Sequence, residues 1–288
     1  LILEPTVNIK TFFDARTWTL TYVVSDPATK DAVIIDPVLD FDPANGRVWQ
    51  ESIEAVAAYV AAEGLTVRLV LETHAHADHL TGAQPLKERY AAPVGIGAAI
   101  GKVQVTFAPL FDLGVATDGS QFDVLLDEGA PYAAGSITIN ALHTPGHTPA
   151  CMSYRIGDAV FTGDALFMPD YGVGRCDFPG GDAALLWESI QKLYTLPAET
   201  RVFVGHDYQP GGRAVAWEST IGASREANVH LKAVTPKEDF VAFRKARDAT
   251  LSAPRLLFPS VQVNIDAGKL PPARANGRRY LVTPLKLG

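Results

Sequence analysis

Between Leu71 and Gly82 the chain reads LETHAHADHLTG, with His74, His76, Asp78 and His79 gathered into six positions. Side chains at i and i+2 of an extended segment point the same way, so His74 and His76 share a face. Asp78 and His79 curl round as the chain enters the next turn. Neutral imidazole and carboxylate are ligands for zinc, iron or manganese. A single histidine at a strand end is ordinarily a hydrogen-bonded structural residue. Four costly polar groups side by side need a stronger reason, and a bound metal supplies one.

The rest of a ligand set recurs downstream at predicted strand ends. HTPGHTP places His147 after a Pro-Gly turn, FTGDAL places Asp164 after Gly163, and VGHDY places His206 at the end of a hydrophobic run. Five of the seven histidines fall in these places. His143 and His230 keep a structural reading, the first on the strand before the turn and the second at a helix end. The two cysteines form no CxxC pair and no disulfide framework. Cys151 is expected as a small buried thiol. Cys176, beside Arg175, is the better candidate for a lowered thiol pKa. The glycines of VGIGAAIGK lack phosphate-loop spacing and predict a strand followed by a turn.

The elements that must hold these residues are legible as patterns. VNIKTFFD, TWTLTYVVS and DAVIID are short β-type runs separated by turns. VWQESIEAVAAYVAAEG has helical apolar spacing and stops at Gly64. TVRLVLE is a strand that delivers the chain to His74, with a short helix over Gln84 to Tyr90 and a strand in APVGIG. FDVLL, SITINAL, ACMSYRI and DAVFTG form a second block of strands. DAALLWESIQKLYTL is an amphipathic helix capped by Asp182, and TRVFVG is the strand ending at His206. Two such blocks predict two packed sheets with helices outside, an α+β fold. After about Gly211, AVAWESTIGASREANVHL and PKEDFVAFRKARDATL read as helices, and a Pro-rich tail is expected to wrap back onto the body. Residues 1–210 are therefore expected as the catalytic domain, with 211–288 as helices and tail packed on it.

Composition excludes other classes. With 47% hydrophobic and 20% charged residues among 288, the chain can bury a full core. A net charge of −7, with the signs interspersed, argues against a nucleic-acid or anionic-membrane surface. No run approaches the ~18 apolar residues of a membrane helix. The sequence opens on LILEPTVNIK, without Met, and shows no basic region followed by a long apolar core, so no secretory signal is expected. The expectation is a cytoplasmic protein.

THAHADH, followed by HTPGHTP, FTGDAL and VGHDY, resembles the metallo-β-lactamase superfamily over about residues 5 to 210. That resemblance implies an αββα sandwich with a metal site at one edge of the sheets, here carrying a C-terminal helical extension. In a dinuclear hydrolase of that family His74, His76 and His147 bind one metal, Asp78, His79 and His206 the other, and Asp164 bridges. IIDPVLDFDP, PGHTPAC, FTGDALFMPDYGVGRCDFPGG, HDYQP and LFPSVQVNIDAGKLPP together resemble the persulfide dioxygenases, and within them the bacterial β-lactamase hydrolase-like proteins. This narrower resemblance spans nearly the whole chain. It implies oxidation of glutathione persulfide by O2 to sulfite and thiol at one Fe(II) per chain, bound by His74, His147 and Asp164. His76, Asp78, His79 and His206 then stand beside the iron, with Asp78, His79 and His206 assisting catalysis. Two histidines and one carboxylate leave open positions on a non-haem iron, which suits a persulfide sulfur and O2. The alternative is a dinuclear zinc hydrolase of thioesters or lactones; a metal-dependent nuclease is disfavoured by the charge.

Tyr171, Arg175 and Tyr208 flank these motifs and are candidates for substrate contact. Arg175 is expected to brace its Gly-rich loop through Asp177. Tyr171 and Val173 depart from the mitochondrial-type persulfide dioxygenases. The resemblance further implies a homodimer surface on the appended helices and tail.

Overall fold

The computed structural model describes residues 7–285. Its first half runs β1 (Asn8–Asp14), β2 (Thr19–Ser25), β3 (Asp31–Ile35), β4 (Val38–Asp42), β5 (Arg47–Trp49), α1 (Glu51–Ala62), β6 (Thr66–Leu71), β7 (Leu80–Thr81), α2 (Ala83–Tyr90), β8 (Val94–Gly97), α3 (Ile100–Phe107) and β9 (Val124–Leu126). The second half runs β10 (Tyr132–Ala134), β11 (Ile137–His143), β12 (Met152–Ile156), β13 (Ala159–Phe161), α4 (Ala183–Leu193), β14 (Arg201–Phe203), β15 (Glu218–Thr220), α5 (Ile221–Ala227), α6 (Lys237–Asp248) and α7 (Leu257–Asn264).

Two six-stranded sheets, ordered β1-β2-β3-β6-β8-β9 and β10-β11-β12-β13-β14-β15, face one another. Strands packed on both sides are buried on both faces, so TLTYVVS and DAVII are buried throughout, with Thr19, Thr21 and Ser25 among the buried residues of the first. Leu20, Tyr22, Val24, Val33 and Ile35 point between the sheets. Val23, Ala32 and Ile34 point the other way, into a cluster shared with α1, α2 and α3. α4 buries Leu186, Ile190 and Leu193 on the far side of the second sheet. The layering is thus the expected αββα.

Aromatic rings join the sheets. Tyr22 meets Phe161 and Phe203 edge-on at 5.2 and 5.5 Å, and its hydroxyl donates to the Val204 carbonyl at 2.6 Å. Burial of each ring contributes roughly 2 kcal/mol, with about 1 kcal/mol more for a well-oriented pair. Their position beside β14 fixes the strand that ends at His206.

Most predicted elements form where the patterns place them, and Asp182 does cap α4, accepting from Ala184 N and Leu185 N. Two differ. Val48 and Trp49, expected at the start of a helix, pair with Phe41 and Asp40 as β5, because the hairpin turn at Gly46 brings them back onto β4. Glu218–Thr220, expected inside a helix, completes the second sheet beside β14, and Thr220 then caps α5 by accepting from Ala223 N. VGIGAAIGK gives β8 and then a turn at Ala98 and Ala99, as expected, with α3 starting at Ile100.

Beyond β15, α6 and α7 lie against the body, and the tail returns to α7 where Val282 N and O bond the Gln262 side chain. No helix among the described residues is long and apolar enough to cross a membrane.

Candidate metal centre

The segment after β6 is pinned before it reaches its histidines. Glu72 N donates to Gly95 O at 2.9 Å, and Met152 N donates to Thr73 O at 3.0 Å. Asp36, in the left-handed region just past β3, turns its carboxylate inward, accepting from Thr73 N at 2.7 Å and Thr73 Oγ1 at 2.8 Å. Because the Thr73 hydroxyl proton goes to Asp36, its oxygen is free to accept from His74 Nδ1, 3.0 Å away. That assigns the His74 proton to Nδ1 and leaves the Nε2 lone pair free. Burial, reinforced by His76 and His147, holds His74 well below its usual pKa, which favours the neutral form that metal binding requires.

His147 is set the same way from another loop. Its Nδ1 donates to Arg175 O at 2.7 Å, and its ring meets Phe178 edge-on. Asp164 Oδ2 lies 3.6 Å from His147 Nε2 and 3.9 Å from His74 Nε2. One atom from each of His74, His147 and Asp164 lies within 4.8 Å of the others. Two glycines permit this approach: a Cβ on Gly174 would collide with Asp164 O, and one on Gly205 would come within 2.9 Å of Asp164 Oδ1.

His76, Asp78 and His79 form a second such group. His76 Nε2 faces Asp36 Oδ1 at 3.1 Å and Glu72 Oε2 at 3.2 Å. Burial opposes its protonation, yet the two carboxylates raise its pKa well above the ordinary value. His206 Nε2 sits 3.3 Å from both Asp78 Oδ2 and Asp164 Oδ1. Burial again works against charge on His206, and Asp78 and Asp164 override it. Asp78 is held well below the carboxylate range; burial opposes this, but His206 and His79 outweigh it.

These donors fit a metal on their own chemistry. Among the described residues, Asp78 Oδ2, His79 Nε2, Asp164 Oδ1 and His206 Nε2 are buried without a hydrogen-bond partner. Buried polar atoms are ordinarily satisfied, and four convergent exceptions, all of ligand type, are what a cation satisfies.

His147, Asp164 and Asp78 line a cavity of about 530 Å³, together with Tyr171, Tyr208 and Arg175. Tyr171 stacks on Tyr208 at 4.8 Å, and Tyr208 stacks on His206 at 5.6 Å. Arg175 is committed to Asp177 through two bonds of 2.6 Å and to Ser252 O at 2.8 Å, the bracing arrangement. Arg247 and Arg255, which sequence reasoning did not single out, also line the cavity, and neither has a carboxylate partner among the described residues. Asp36, Glu72 and Thr73 were missed as well. The available signal was a charged residue closing a wholly apolar strand, in VIIDP and LVLET.

The expectation for Cys176 is corrected: burial, with Asp248 nearby, pushes its thiol up, and Arg175 turns to Asp177 instead. Burial likewise pushes the Cys151 thiol up to about 12. His143 is structural, bonding Pro149 O at 3.0 Å. His230 follows α5 as expected, yet also lines the cavity and accepts from Val173 N at 3.2 Å.

A two-sheet sandwich carrying this donor set defines a class, and comparison places the chain in it. The family described as the metallo-β-lactamase superfamily matches residues 19–206, and the chain belongs to that family. A probable metallo-hydrolase of Burkholderia pseudomallei is 49% identical, over 97% of this chain and 99% of its own length. A β-lactamase hydrolase-like protein of Agrobacterium fabrum is also 49% identical, over 96% of this chain, which spans 64% of that protein. The human mitochondrial persulfide dioxygenase ETHE1 is 30% identical, over 78% of this chain and 76% of its own. The crystal structure of ETHE1 from Myxococcus xanthus superposes with a TM-score of 0.72 at 33% identity, covering 91% of this chain and 100% of that one.

Proposed function

We propose that the chain is a persulfide dioxygenase that oxidises glutathione persulfide, or a similar small persulfide, at one non-haem Fe(II). The observation that carries this reading is the trio His74, His147 and Asp164, which presents His147 and Asp164 to a cavity large enough for a tripeptide. Relatives named persulfide dioxygenase support it. Two histidines and a carboxylate suit ferrous iron, which when bound supplies electrons to O2 and brings the two reactants together. In the balanced reaction a persulfide, O2 and water give a thiol, sulfite and two protons.

The chain's own residues then have definite tasks. Thr73 Oγ1 and Arg175 O orient the two imidazoles through their Nδ1 protons. His206 places Nε2 3.3 Å from both Asp78 Oδ2 and Asp164 Oδ1, between the two carboxylates beside the reacting sulfur. Tyr171 and Tyr208 offer a stacked aromatic wall to the carrier. Arg247 and Arg255 provide positive charge at the mouth for carboxylates such as those of glutathione. A cytoplasmic location, in keeping with two free thiols, and a homodimer belong to the same proposal.

A second reading has its own observation. The four unpartnered atoms of Asp78, His79, Asp164 and His206 match a second metal position, and a relative is named a metallo-hydrolase. The deciding experiment is oxygen uptake by Fe(II)-reconstituted protein on adding glutathione persulfide, with sulfite and metal content followed in the same sample. Stoichiometric uptake and sulfite at one iron per chain are expected. Two metals per chain and zinc-dependent cleavage of a thioester or lactone, without uptake, overturn the proposal in favour of the hydrolase.

A further inference from the structure

The loop that carries His76, Asp78 and His79 has no strand partner of its own, yet its backbone is buried and needs hydrogen bonds. One side chain, from nearly two hundred positions downstream, supplies them. Asn264, the last residue of α7 and 3% exposed, donates through Nδ2 to His76 O and to His79 O, each at 2.8 Å. Its Oδ1 accepts from Thr81 N at 2.9 Å. Both amide protons and the amide oxygen are therefore spent on the six residues from His76 to Thr81.

The seat of Asn264 is itself rigid. Val263 beside it is fully buried against Leu39 and Leu80. Ile265 O accepts from Gln104 of α3 at 2.9 Å, and Ala267 O accepts from Gln84 of α2 at 2.6 Å. α7 lies outside residues 19–206, the span that the superfamily description matches.

We infer that Asn264 is a positioning residue for the metal centre: by holding the His76 and His79 carbonyls it sets the backbone path on which the His76, Asp78 and His79 side chains are aimed. The inference rests on the reading that this loop helps to hold a metal, and is independent of which reaction the metal serves. A shortened or negatively charged partner frees the loop, so the donors converge less well and release the ion faster.

Three variants separate positioning from mere stability. Asn264→Asp keeps shape and the Thr81 bond but replaces both donors with an oxygen facing two carbonyls. Asn264→Ser is a milder loss that serves if the aspartate does not fold. Val60→Ala, on α1, destabilises the core packing at a buried valine away from the loop. The probe is Co(II), followed by its visible absorption and by its release to a chelator, alongside thermal unfolding of the metal-free proteins. The expected result is release accelerated by about tenfold or more in the Asn264 variants, with an altered cobalt spectrum and with Val60→Ala within about twofold of the parent. Equal acceleration in Val60→Ala and Asn264→Asp, or parental release and spectrum in Asn264→Asp, overturns the inference. Parent protein that takes up no cobalt overturns the metal reading itself, a distinct failure seen before any variant is compared.

Discussion

Replacing Asp207 by Asn tests how the strand-end loop carrying His206 and Tyr208 is anchored. Asp207 is fully buried and accepts from the two Arg213 Nη atoms at 2.7 Å each and from Ala216 N at 2.7 Å. Arg213, 27% exposed, also reaches Asp170 at 2.6 and 3.0 Å. Asn keeps the shape, and its carbonyl in the Oδ2 position still accepts from Ala216 N and Arg213 Nη1, but its amide nitrogen confronts Arg213 Nη2, so one charge-assisted bond and the carboxylate's charge are lost. Such bonds are worth about 1.5–3 kcal/mol each. Arg213 keeps Asp170 and some water, so the net cost falls at about 3 kcal/mol, the lower end for breaking a buried pair. With an unfolding entropy of about 2.1 cal/mol/K per residue over 288 residues, that lowers Tm by about 5 °C. The assay is calorimetry of the metal-free protein near neutral pH, with Arg213→Met and the double variant closing the cycle. A coupling energy below about 0.5 kcal/mol, the level of independent sites, refutes the claim that this pair anchors the loop.

Three further outcomes are expected. His206→Ala retains one metal per chain by elemental analysis and loses about 10- to 100-fold in oxygen uptake, as for the loss of a group supporting the ligands; a fall from two metals to one favours the hydrolase. Arg247→Ala and Arg255→Ala each raise KM for glutathione persulfide roughly tenfold, the value of one charge-assisted bond, and leave kcat nearly unchanged; an unchanged KM removes both from substrate recognition. Burial, with Arg244 and Arg247 nearby, pushes His230 down to about 4, against about 6.5 in an unfolded chain. Between those values the unfolded chain binds a proton that the fold refuses, so His230 costs stability as pH falls from about 6.5 towards 4 and nothing above. His230→Gln removes that part of the acid limb in denaturant melts; identical limbs for parent and variant contradict it.

What could be read directly were features carried by neighbours in sequence. The i, i+2 histidines lie at the end of a strand whose apolar residues mark it as buried. The Asp182 cap needs only the amides two and three residues on. Misread elements are those whose state depends on a distant partner. Glu218–Thr220 has nothing in its own composition to make it a strand; β14 supplies the open edge. Val48 and Trp49 look helical until Asp40 and Phe41 are seen opposite them. α7 holds a proline and little periodicity in LFPSVQVN, so its pattern is weak, yet its final residue reaches the metal loop.

The sequence by itself determined that ligand-type side chains gather at strand ends, that two blocks of buried strands must pack, and that the resemblance is to the metallo-β-lactamase superfamily, because residue type, spacing and apolar run length are local properties. Only the tertiary structure decided which nitrogen of each imidazole is free, that His206 stands between Asp78 and Asp164, that Cys176 is buried, and that Asn264 and Arg247 come to the site at all. Hydrogen bonds and electrostatic shifts fall off within a few ångströms, so they are set by which surfaces meet. That meeting is a property of the packed chain rather than of any stretch of it.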